Sequence, residues 1–425
     1  MTSRKVAIPT REESALRLVF SDRFYRSATI ALFLYGIAVS ATLPQMTLFL
    51  TRELGASLSV AGSYFLTYLV APLAGVAIGA LSDRRRDRLL IFRVCVGLAG
   101  AGWLAIGLST QLWMPFVIGA VVLSLTGSIM AQLLAAVRDQ LSRRPTTAEN
   151  RILAMVRMGF SGGWVVGPVL GTWVGSAFGP RTLIMLTAVL TWAQLIPIGR
   201  QKILRYIPVP TSEAKPAQRI SIAPLLIFTG LAVFAMSGDT IKFAYLPIFM
   251  TEQLHSSALA LGLVIAVQPL LEVALMPVAA RLADRYDALI VLVVGAAFGV
   301  AAAVTFATGS TATAMFAGQI LNAIMWACLA GLGVSIAQQL YPIAVATASG
   351  LFTGAIMLAF AVGGAVGGLG VTMLGVPGVF YIPSVFTAVA VVGLSLLWRR
   401  PAVRAALSTP AVGPTTIAGA GCGDH

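Results

Sequence analysis

Four ionisable side chains lie inside long apolar stretches of this sequence: Arg157, Asp239, Lys242 and Glu272. A charge is costly in such surroundings, and where it occurs it is by default a candidate for function. Glu272 is the strongest candidate, because it lies in the middle of its stretch and one helical turn from Gln268 on the same helix face. A carboxyl group there could load and release a proton. The alternative is a structural glutamic acid that is hydrogen-bonded to a neighbouring helix.

Asp239 and Lys242 are three residues apart within one apolar stretch, so their charges could neutralise each other. A purely structural ion pair and a coupling site are both open for these two residues. We therefore predict proton coupling at Glu272, Asp239 and Lys242 as a group, without deciding which carboxylate carries the proton.

Arg157 lies little more than one turn into its apolar stretch and could extend its guanidinium to the membrane surface. Ser161, Trp164 and Pro168 share its helix face at helical spacing. An arginine and a tryptophan on one stripe suit a polar, ring-shaped ligand.

Two further stretches carry stripes of uncharged hydrogen-bonding side chains. Amides and hydroxyls beside an indole face suit a sugar, whose hydroxyls need donors and acceptors and whose C–H face stacks on aromatic rings. For each residue alone, a polar contact between helices is the alternative. One stripe holds Gln319, Asn322 and Trp326, and the other holds Ser124, Ser128 and Gln132. The predicted substrate-binding residues are Gln132, Arg157, Trp164, Gln268, Gln319, Asn322 and Trp326.

Membrane-spanning helices must position these residues. Of the 425 residues, 58% are hydrophobic and only 10% are charged, so the surplus apolar surface must face lipid. Runs of about 20 apolar residues, the length that crosses the hydrocarbon core, occur twelve times. The predicted spans are approximately Ala28 to Leu50, Val60 to Leu81, Leu89 to Leu108, Leu112 to Val137, Ile152 to Phe178, Thr182 to Gly199, Ile222 to Met250, Ala258 to Ala280, Ala288 to Ala307, Ala312 to Ala337, Ala346 to Leu374 and Val376 to Trp398.

The basic residues predict the orientation of these helices. All of the 29 Lys and Arg residues except Arg52, Arg157, Arg181 and Lys242 fall in the two tails and in alternate loops. That distribution follows the positive-inside rule, so we expect both termini in the cytoplasm and a multi-pass protein of the bacterial inner membrane. The first apolar stretch is too long for a signal-peptide core and no small-residue cleavage pattern ends it, so we expect an uncleaved first helix. It also argues against nucleic acid as a partner, in spite of the net charge of +14.

The chain divides into two similar halves. We predict an N-terminal bundle of six helices with a basic tail at residues 1–199, a cytoplasmic linker at 200–221, a C-terminal bundle of six helices at 222–398 and a disordered tail at 399–425. Short segments repeat at an offset near 200, as in Phe49-Leu50-Thr51 against Phe249-Met250-Thr251 and Asp83-Arg84 against Asp284-Arg285.

The segment from Gly79 to Arg88 resembles the signature between the second and third helices of the major facilitator superfamily. The match is partial, because Asp87 interrupts the basic run. The resemblance implies a latch that closes the cytoplasmic side, with Gly79, Asp83 and Arg84 as gating residues and Asp284 with Arg285 as a degenerate copy. Gly167-Pro168 resembles the glycine and proline pattern of antiporters in this superfamily, although ordinary small-residue packing remains an equal alternative.

Segments in both halves resemble the bacterial sugar efflux transporters of that superfamily. They include Thr47 to Ala56, Ala135 to Asp139, Leu271-Glu272-Val273 and Gln319 to Ala323. The resemblance implies an all-α membrane protein with the major facilitator fold, twelve helices in two pseudo-symmetric bundles. It also implies proton-driven export of sugars or glycosides, and it places Arg138 among the matching positions, which we add to the gating residues.

Three alternatives remain beside a sugar exporter. An exporter of amphipathic drugs would have a cavity lined mainly by apolar and aromatic groups, and a membrane sensor without transport would need a sizeable soluble domain. An enzyme is disfavoured, because neither histidine lies near other candidate catalytic residues: His255 is in an outer loop and His425 is the last residue. No cofactor or metal is expected, and we expect a monomer whose partners are a small solute, protons and membrane lipid.

Overall fold

The computed structural model describes residues 15–84, 87–143, 149–203 and 221–408. Within these ranges, twelve helices are long and apolar enough to cross a membrane, and they are numbered here as spans 1 to 12. The spans are Arg23–Leu54, Leu58–Ser82, Arg88–Gly107, Trp113–Arg143, Arg151–Phe178, Pro180–Ile198, Ala223–Gln253, Ala258–Tyr286, Ala288–Thr308, Ala312–Leu340, Thr347–Gly378 and Tyr381–Trp398. The prediction of an all-α protein with twelve spans is confirmed.

Helix caps recur at the same places in the two halves. Ser57 caps span 2 by accepting a hydrogen bond from the amide of Val60, and Ser257 caps span 8 in the same way. Asp87 and Asp287 likewise accept a bond from the amide two residues later, at the starts of spans 3 and 9. Such caps satisfy amides that the first helical turn leaves free. The two halves therefore share helix-capping residues at equivalent positions as well as short sequence segments.

The spans pack as two bundles. In the N-terminal bundle, span 1 packs along span 5 and span 3 along span 6; in the C-terminal bundle, span 7 packs along span 11 and span 9 along spans 10 and 12. The bundles meet where span 5 packs on span 8 and where span 2 packs on span 11. Two pairs of helices therefore form most of the joint between the halves.

The two ends of this joint differ, and we call them the basic end and the outer end. The basic end carries Arg88 and Arg143, and the outer end carries Arg52 and Glu252. At the outer end the guanidinium of Arg52 lies 3.1 Å from the carboxylate of Glu252, and the hydroxyl of Tyr245 donates to the carbonyl of Leu58 at 3.2 Å. These contacts tie spans 1 and 2 to span 7.

Spans 2 and 11 pack together at the outer end and diverge toward the basic end, because span 11 packs on residues 58–70 of span 2 and makes few contacts with Ala71–Arg84. The surroundings of the glycines agree with this. At the outer end, a side-chain carbon added to Gly62 would lie 3.3 Å from the Cα of Gly368, and one added to Gly364 would lie 2.7 Å from the Cβ of Phe65. Nearer the basic end, one added to Gly79 of span 2 or Gly354 of span 11 would meet nothing within 4 Å. The structure is thus closed at the outer end and open between these helices at the basic end.

The tail after span 12 differs from the prediction of disorder, because residues Pro401–Ser408 form a helix. Its Val403 is buried in the core of the C-terminal bundle, and the guanidinium of Arg404 lies 3.9 Å from the ring centroid of Trp398. These contacts give a short segment enough burial to fold. The rest of the predicted tail, residues 409–425, and most of the predicted linker, residues 204–220, lie outside the described residues.

A candidate polar site between spans 7, 8 and 10

Four buried polar side chains meet in the middle of the C-terminal bundle. They are Asp239 and Lys242 of span 7, Gln268 of span 8 and Asn322 of span 10, and none is more than 6% exposed. We call them the polar tetrad. Sequence analysis proposed all four, but for two separate roles, proton coupling and substrate binding.

Lys242 and Asp239 form the ionic part of the tetrad. The Lys242 ammonium donates to Asp239 Oδ1 at 2.7 Å and also to the amide oxygen of Gln268. It lies 4.9 Å from the ring centroid of Phe243. The ammonium therefore has two oxygen acceptors and an aromatic face, which together offset much of the cost of burying it.

Asn322 and Gln268 complete the tetrad. The Asn322 amide nitrogen lies 2.9 Å from Asp239 Oδ1 and 3.1 Å from the amide oxygen of Gln268, and Gln268 Nε2 lies 3.4 Å from Asp239 Oδ2. Three spans are joined by these bonds. Because a buried polar group that loses its partner costs more than the bond itself contributes, the tetrad favours one arrangement of spans 7, 8 and 10.

Glu272 lies one turn beyond Gln268 on span 8 and is half-buried. The charges that act on it are those of Asp239, Lys242 and Arg157. Arg157 belongs to span 5 of the other bundle and is exposed, and spans 5 and 8 pack together. Glu272 is therefore the carboxylate that connects the tetrad electrostatically to the N-terminal bundle, and it makes no hydrogen bond to the described part of the chain.

An aromatic cluster lies beside the tetrad and bridges the two bundles. Trp164 of span 5 has its ring 6.1 Å from Phe160 and 6.0 Å from Phe243 of span 7, and Phe360 of span 11 stacks on Tyr68 of span 2 at 5.2 Å. Sequence analysis proposed Trp164 alone. Phe160 lies one turn before Trp164 on span 5, but Phe243, Phe360 and Tyr68 come from three other spans. Spacing along one helix therefore gave no signal for those three rings.

The other predicted substrate-binding residues do not join this site. Gln319 is fully buried, and neither of its amide atoms has a hydrogen-bond partner among the described residues. Trp326 is partly buried against the core of the C-terminal bundle. Gln132 of span 4 is buried and accepts a hydrogen bond from Ser82 at 2.5 Å. The polar stripes of spans 4 and 10 therefore do not line one shared chamber in this conformation.

Gln132 belongs instead to a second polar network at the basic end of the N-terminal bundle. Arg88 donates to Ser82 at 2.9 Å and to Asp139 Oδ2 at 3.0 Å, and the side chains of the ion pair are each 13% exposed. We call Ser82, Arg88, Gln132 and Asp139 the basic-end network. It joins the end of span 2 and the start of span 3 to span 4. Arg138, the neighbour that sequence analysis selected, is exposed.

The other predicted gating residues lie near the ends of spans 2 and 8, except Gly167 and Pro168, which lie within span 5. Arg84, Asp284 and Arg285 are exposed, and the side chain of Asp83 lies outside the described residues. A side chain on Gly167 would meet the carbonyl of Ile37 at 2.8 Å. The Gly167-Pro168 segment thus allows span 5 to pack closely on span 1.

Comparison with known proteins agrees with this architecture. The family model described as Major Facilitator Superfamily matches residues 28–224 and 227–419. Sugar efflux transporter C of Escherichia coli is 24% identical over 376 residues, covering 86% of this chain and 92% of that protein. Multidrug resistance protein MdtG of Escherichia coli is 26% identical over 212 residues, which cover 46% of this chain and 50% of that protein.

Among solved structures, a bacterial homolog of the human lysosomal transporter Spinster, in an inward-facing and unoccupied conformation, superposes with a TM-score of 0.74. It is 14% identical, and the match covers 92% of this chain and 99% of the other. This likeness supports the fold and the pairing of two six-helix bundles.

Proposed function

Because this chain belongs to the Major Facilitator Superfamily, we propose that it is a proton-coupled exporter of sugars or glycoside-like solutes that works by alternating access. Its membership makes it a membrane transporter rather than an enzyme. The coupling, the substrate class and the direction of transport are our proposal. The observation that carries it is the buried polar tetrad, which lies next to Glu272 at the joint between the bundles.

The conformation supports a solute route that opens at the basic end. The positive-inside rule places that end, and with it both termini, in the cytoplasm. Spans 2 and 11 touch at the outer end and separate toward the basic end, so a solute would enter between the bundles from the cytoplasm. Rocking of the bundles about a central site would then release it outside.

Glu272 supplies a means of linking a proton to this movement. Asp239 is already paired with Lys242 at 2.7 Å, whereas Glu272 forms no ion pair among the described residues and is influenced by the charges of Asp239, Lys242 and Arg157. When Glu272 is ionised, it attracts Arg157 of the opposite bundle; when it is protonated, that attraction disappears. A proton can shift the equilibrium between conformations only through such a difference.

The substrate class rests on the groups that face the joint. Arg157 can donate to hydroxyl or glycosidic oxygens, and the indole nitrogen of Trp164 is a buried donor with no partner among the described residues. The Trp164 ring offers a face for the C–H side of a sugar ring. The relatives named sugar efflux transporters agree with this assignment.

A drug exporter is a second candidate, and the aromatic cluster is the observation that favours it. Trp164, Phe243, Phe360 and Tyr68 present aromatic rings from both bundles, as a cavity for apolar drugs would. Transport of a labelled galactoside and of an aromatic cation by the same vesicles would separate the two candidates. We expect the galactoside to be the better substrate and a poor competitor for any residual cation transport.

Transport in inside-out vesicles tests the proposal. An imposed proton gradient should drive accumulation of labelled sugars, and Glu272→Gln should abolish that accumulation while leaving solute exchange at equal pH. Glu252→Gln is the matched control, because Glu252 is an exposed carboxylate at the outer end and its loss should leave accumulation nearly unchanged. Undiminished accumulation in Glu272→Gln would remove this residue from the coupling mechanism.

A further inference from the structure

A small cavity lies on the far side of the polar tetrad, away from the joint between the bundles. Its volume is about 20 Å³, and it is enclosed by spans 7, 9, 10 and 12. Its polar lining consists of Asp239, Lys242, Asn322 and Thr387. A cavity of this size has room for one water molecule.

Three side chains around the cavity have unused hydrogen-bonding capacity. Thr387 of span 12 is 2% exposed, and its hydroxyl makes no hydrogen bond to the described part of the chain. The amide of Asn322 donates twice, but its oxygen accepts no bond from the described residues. Within the described part of the chain, the one hydrogen-bond contact of Asp239 Oδ2 is that with Gln268 at 3.4 Å. A buried water typically makes about three hydrogen bonds to groups of this kind.

We propose that this cavity binds one ordered water molecule that hydrogen-bonds to Asp239, Asn322 and Thr387. The water solvates the Asp239 carboxylate from the side opposite to Lys242. Spans 9 to 12 contain no charged residue, so the charged groups that face Asp239 are Lys242 on its own span and Glu272 on span 8. When Lys242 moves toward a solute or toward Glu272, the water remains as a partner for Asp239.

A sodium ion fits the cavity less well than water does. The Lys242 ammonium lines the same cavity, and two cations a few ångströms apart in a buried site repel strongly. The oxygens of Asp239, Asn322 and Thr387 also fall short of the six or so oxygen ligands that hard cations commonly take. The chemistry therefore favours a neutral ligand that both donates and accepts.

Radiolytic footprinting in isotopically labelled water tests the site without any transported solute. A bound water next to a methionine should label it efficiently when hydroxyl radicals are generated in place. Met325 lines the cavity, whereas Met236 does not, and both are 3% exposed. In the full-length wild-type protein in nanodiscs, we expect Met325 to be labelled several-fold faster than Met236.

Two substitutions of Thr387 sharpen the test. Thr387→Val keeps the shape of the side chain but removes its hydroxyl, and it should reduce labelling of Met325 toward that of Met236. Thr387→Ser keeps the hydroxyl and should retain the labelling. Equal labelling of the two methionines in the wild type would overturn the proposal, as would unchanged Met325 labelling in Thr387→Val.

The ionic composition of the buffer distinguishes water from sodium. We expect the same labelling of Met325 in sodium chloride and in choline chloride. Labelling that changes when sodium is removed would show a cation site and overturn the proposal. Because no sugar or proton gradient enters these measurements, their outcome is independent of the proposed transport activity.

Discussion

Among the described residues, each bundle holds an ion pair with neutral polar side chains around it, and the two pairs lie at different depths. In the N-terminal bundle, Arg88 and Asp139 lie at the basic end, and each side chain is 13% exposed. In the C-terminal bundle, Asp239 and Lys242 lie in the middle of span 7, and their side chains alone are 8% and 3% exposed. The same chemistry therefore joins the ends of spans 2 and 3 to span 4 in one half and joins spans 7, 8 and 10 in the other. Under the proposed function, only the second network takes part in proton coupling.

The depth of each pair decides what its loss would cost. At the basic end, water can reach the remaining partner of a broken pair, which limits the penalty. In the middle of the membrane the remaining charge cannot reach bulk water, and breaking a buried pair costs several kcal/mol. The four predictions below test this difference from the largest expected effect to the smallest.

The largest effect is expected for Lys242→Met. Removing the ammonium leaves Asp239 charged and without its main partner, so we expect a loss of about 3–5 kcal/mol in the free energy of unfolding and no accumulation of solute. The double variant Asp239→Asn with Lys242→Met should recover most of the stability without recovering coupled transport. Thermal unfolding in detergent and vesicle transport would measure the two effects separately. A fully active Lys242→Met protein would show that the pair is dispensable.

A smaller effect is expected for Asp139→Asn in the N-terminal bundle. The Arg88 guanidinium keeps its bond to Ser82 and gains access to water, so the loss of stability should be about 1–3 kcal/mol. We expect a slower transport rate with proton coupling intact. Arg138→Gln is the matched control, because Arg138 is exposed and adjacent in sequence. Loss of coupling in Asp139→Asn, measured as sugar accumulated per proton taken up, would contradict the contrast between the bundles.

These two pairs also show what the sequence could and could not reveal. Hydropathy located the ends of the twelve spans to within six residues, and the isolated charges of Asp239, Lys242 and Glu272 marked the middle of the C-terminal bundle. The partner of Arg88 could not be found in this way, because Asp139 lies 51 positions along the chain. Only the packing of span 4 on span 3 decides that Asp139, rather than Arg138, points inward.

Spacing along a helix was likewise insufficient for the amides of span 10. Gln319 and Asn322 are three residues apart and share a helix face, yet Asn322 bonds to Asp239 while Gln319 is enclosed without a partner among the described residues. The two amides lie about one helical turn apart along span 10, and only Asn322 lies at the level of Asp239. Similarly, the bridging aromatic cluster depends on rings from different spans, which no local pattern joins.

A smaller difference between the bundles is expected when an uncharged amide is removed from each of the two polar networks. Asn322→Leu removes a donor to Asp239 and should cost about 1–3 kcal/mol in the free energy of unfolding, together with most of the coupled accumulation. Gln132→Leu in the basic-end network should cost a similar amount or less and leave the ratio of protons to solute unchanged. Equal losses of coupling in both variants would mean that the two networks act alike.

The smallest effect is expected for the exposed pair that joins the bundles at the outer end. Arg52 and Glu252 occupy equivalent positions in the two halves and are about half exposed, so the pair should contribute about 0.2–1 kcal/mol to closure of that end. Arg52→Glu should make a cysteine introduced at Leu58 modestly more reactive toward a membrane-impermeant thiol reagent. The charge swap Arg52→Glu with Glu252→Arg should reverse the change, and a failure to do so would exclude a direct interaction.

The proton released or taken up when solute is added to inside-out vesicles tests the central claim most directly. With a pH-sensitive dye and no imposed gradient, wild-type vesicles should show a pH change upon addition of a transported sugar. Vesicles with the double variant Asp239→Asn and Lys242→Met, or with Glu272→Gln, should exchange labelled sugar without any pH change. A pH change of wild-type size in both variants would contradict the assignment of coupling to the middle of the C-terminal bundle.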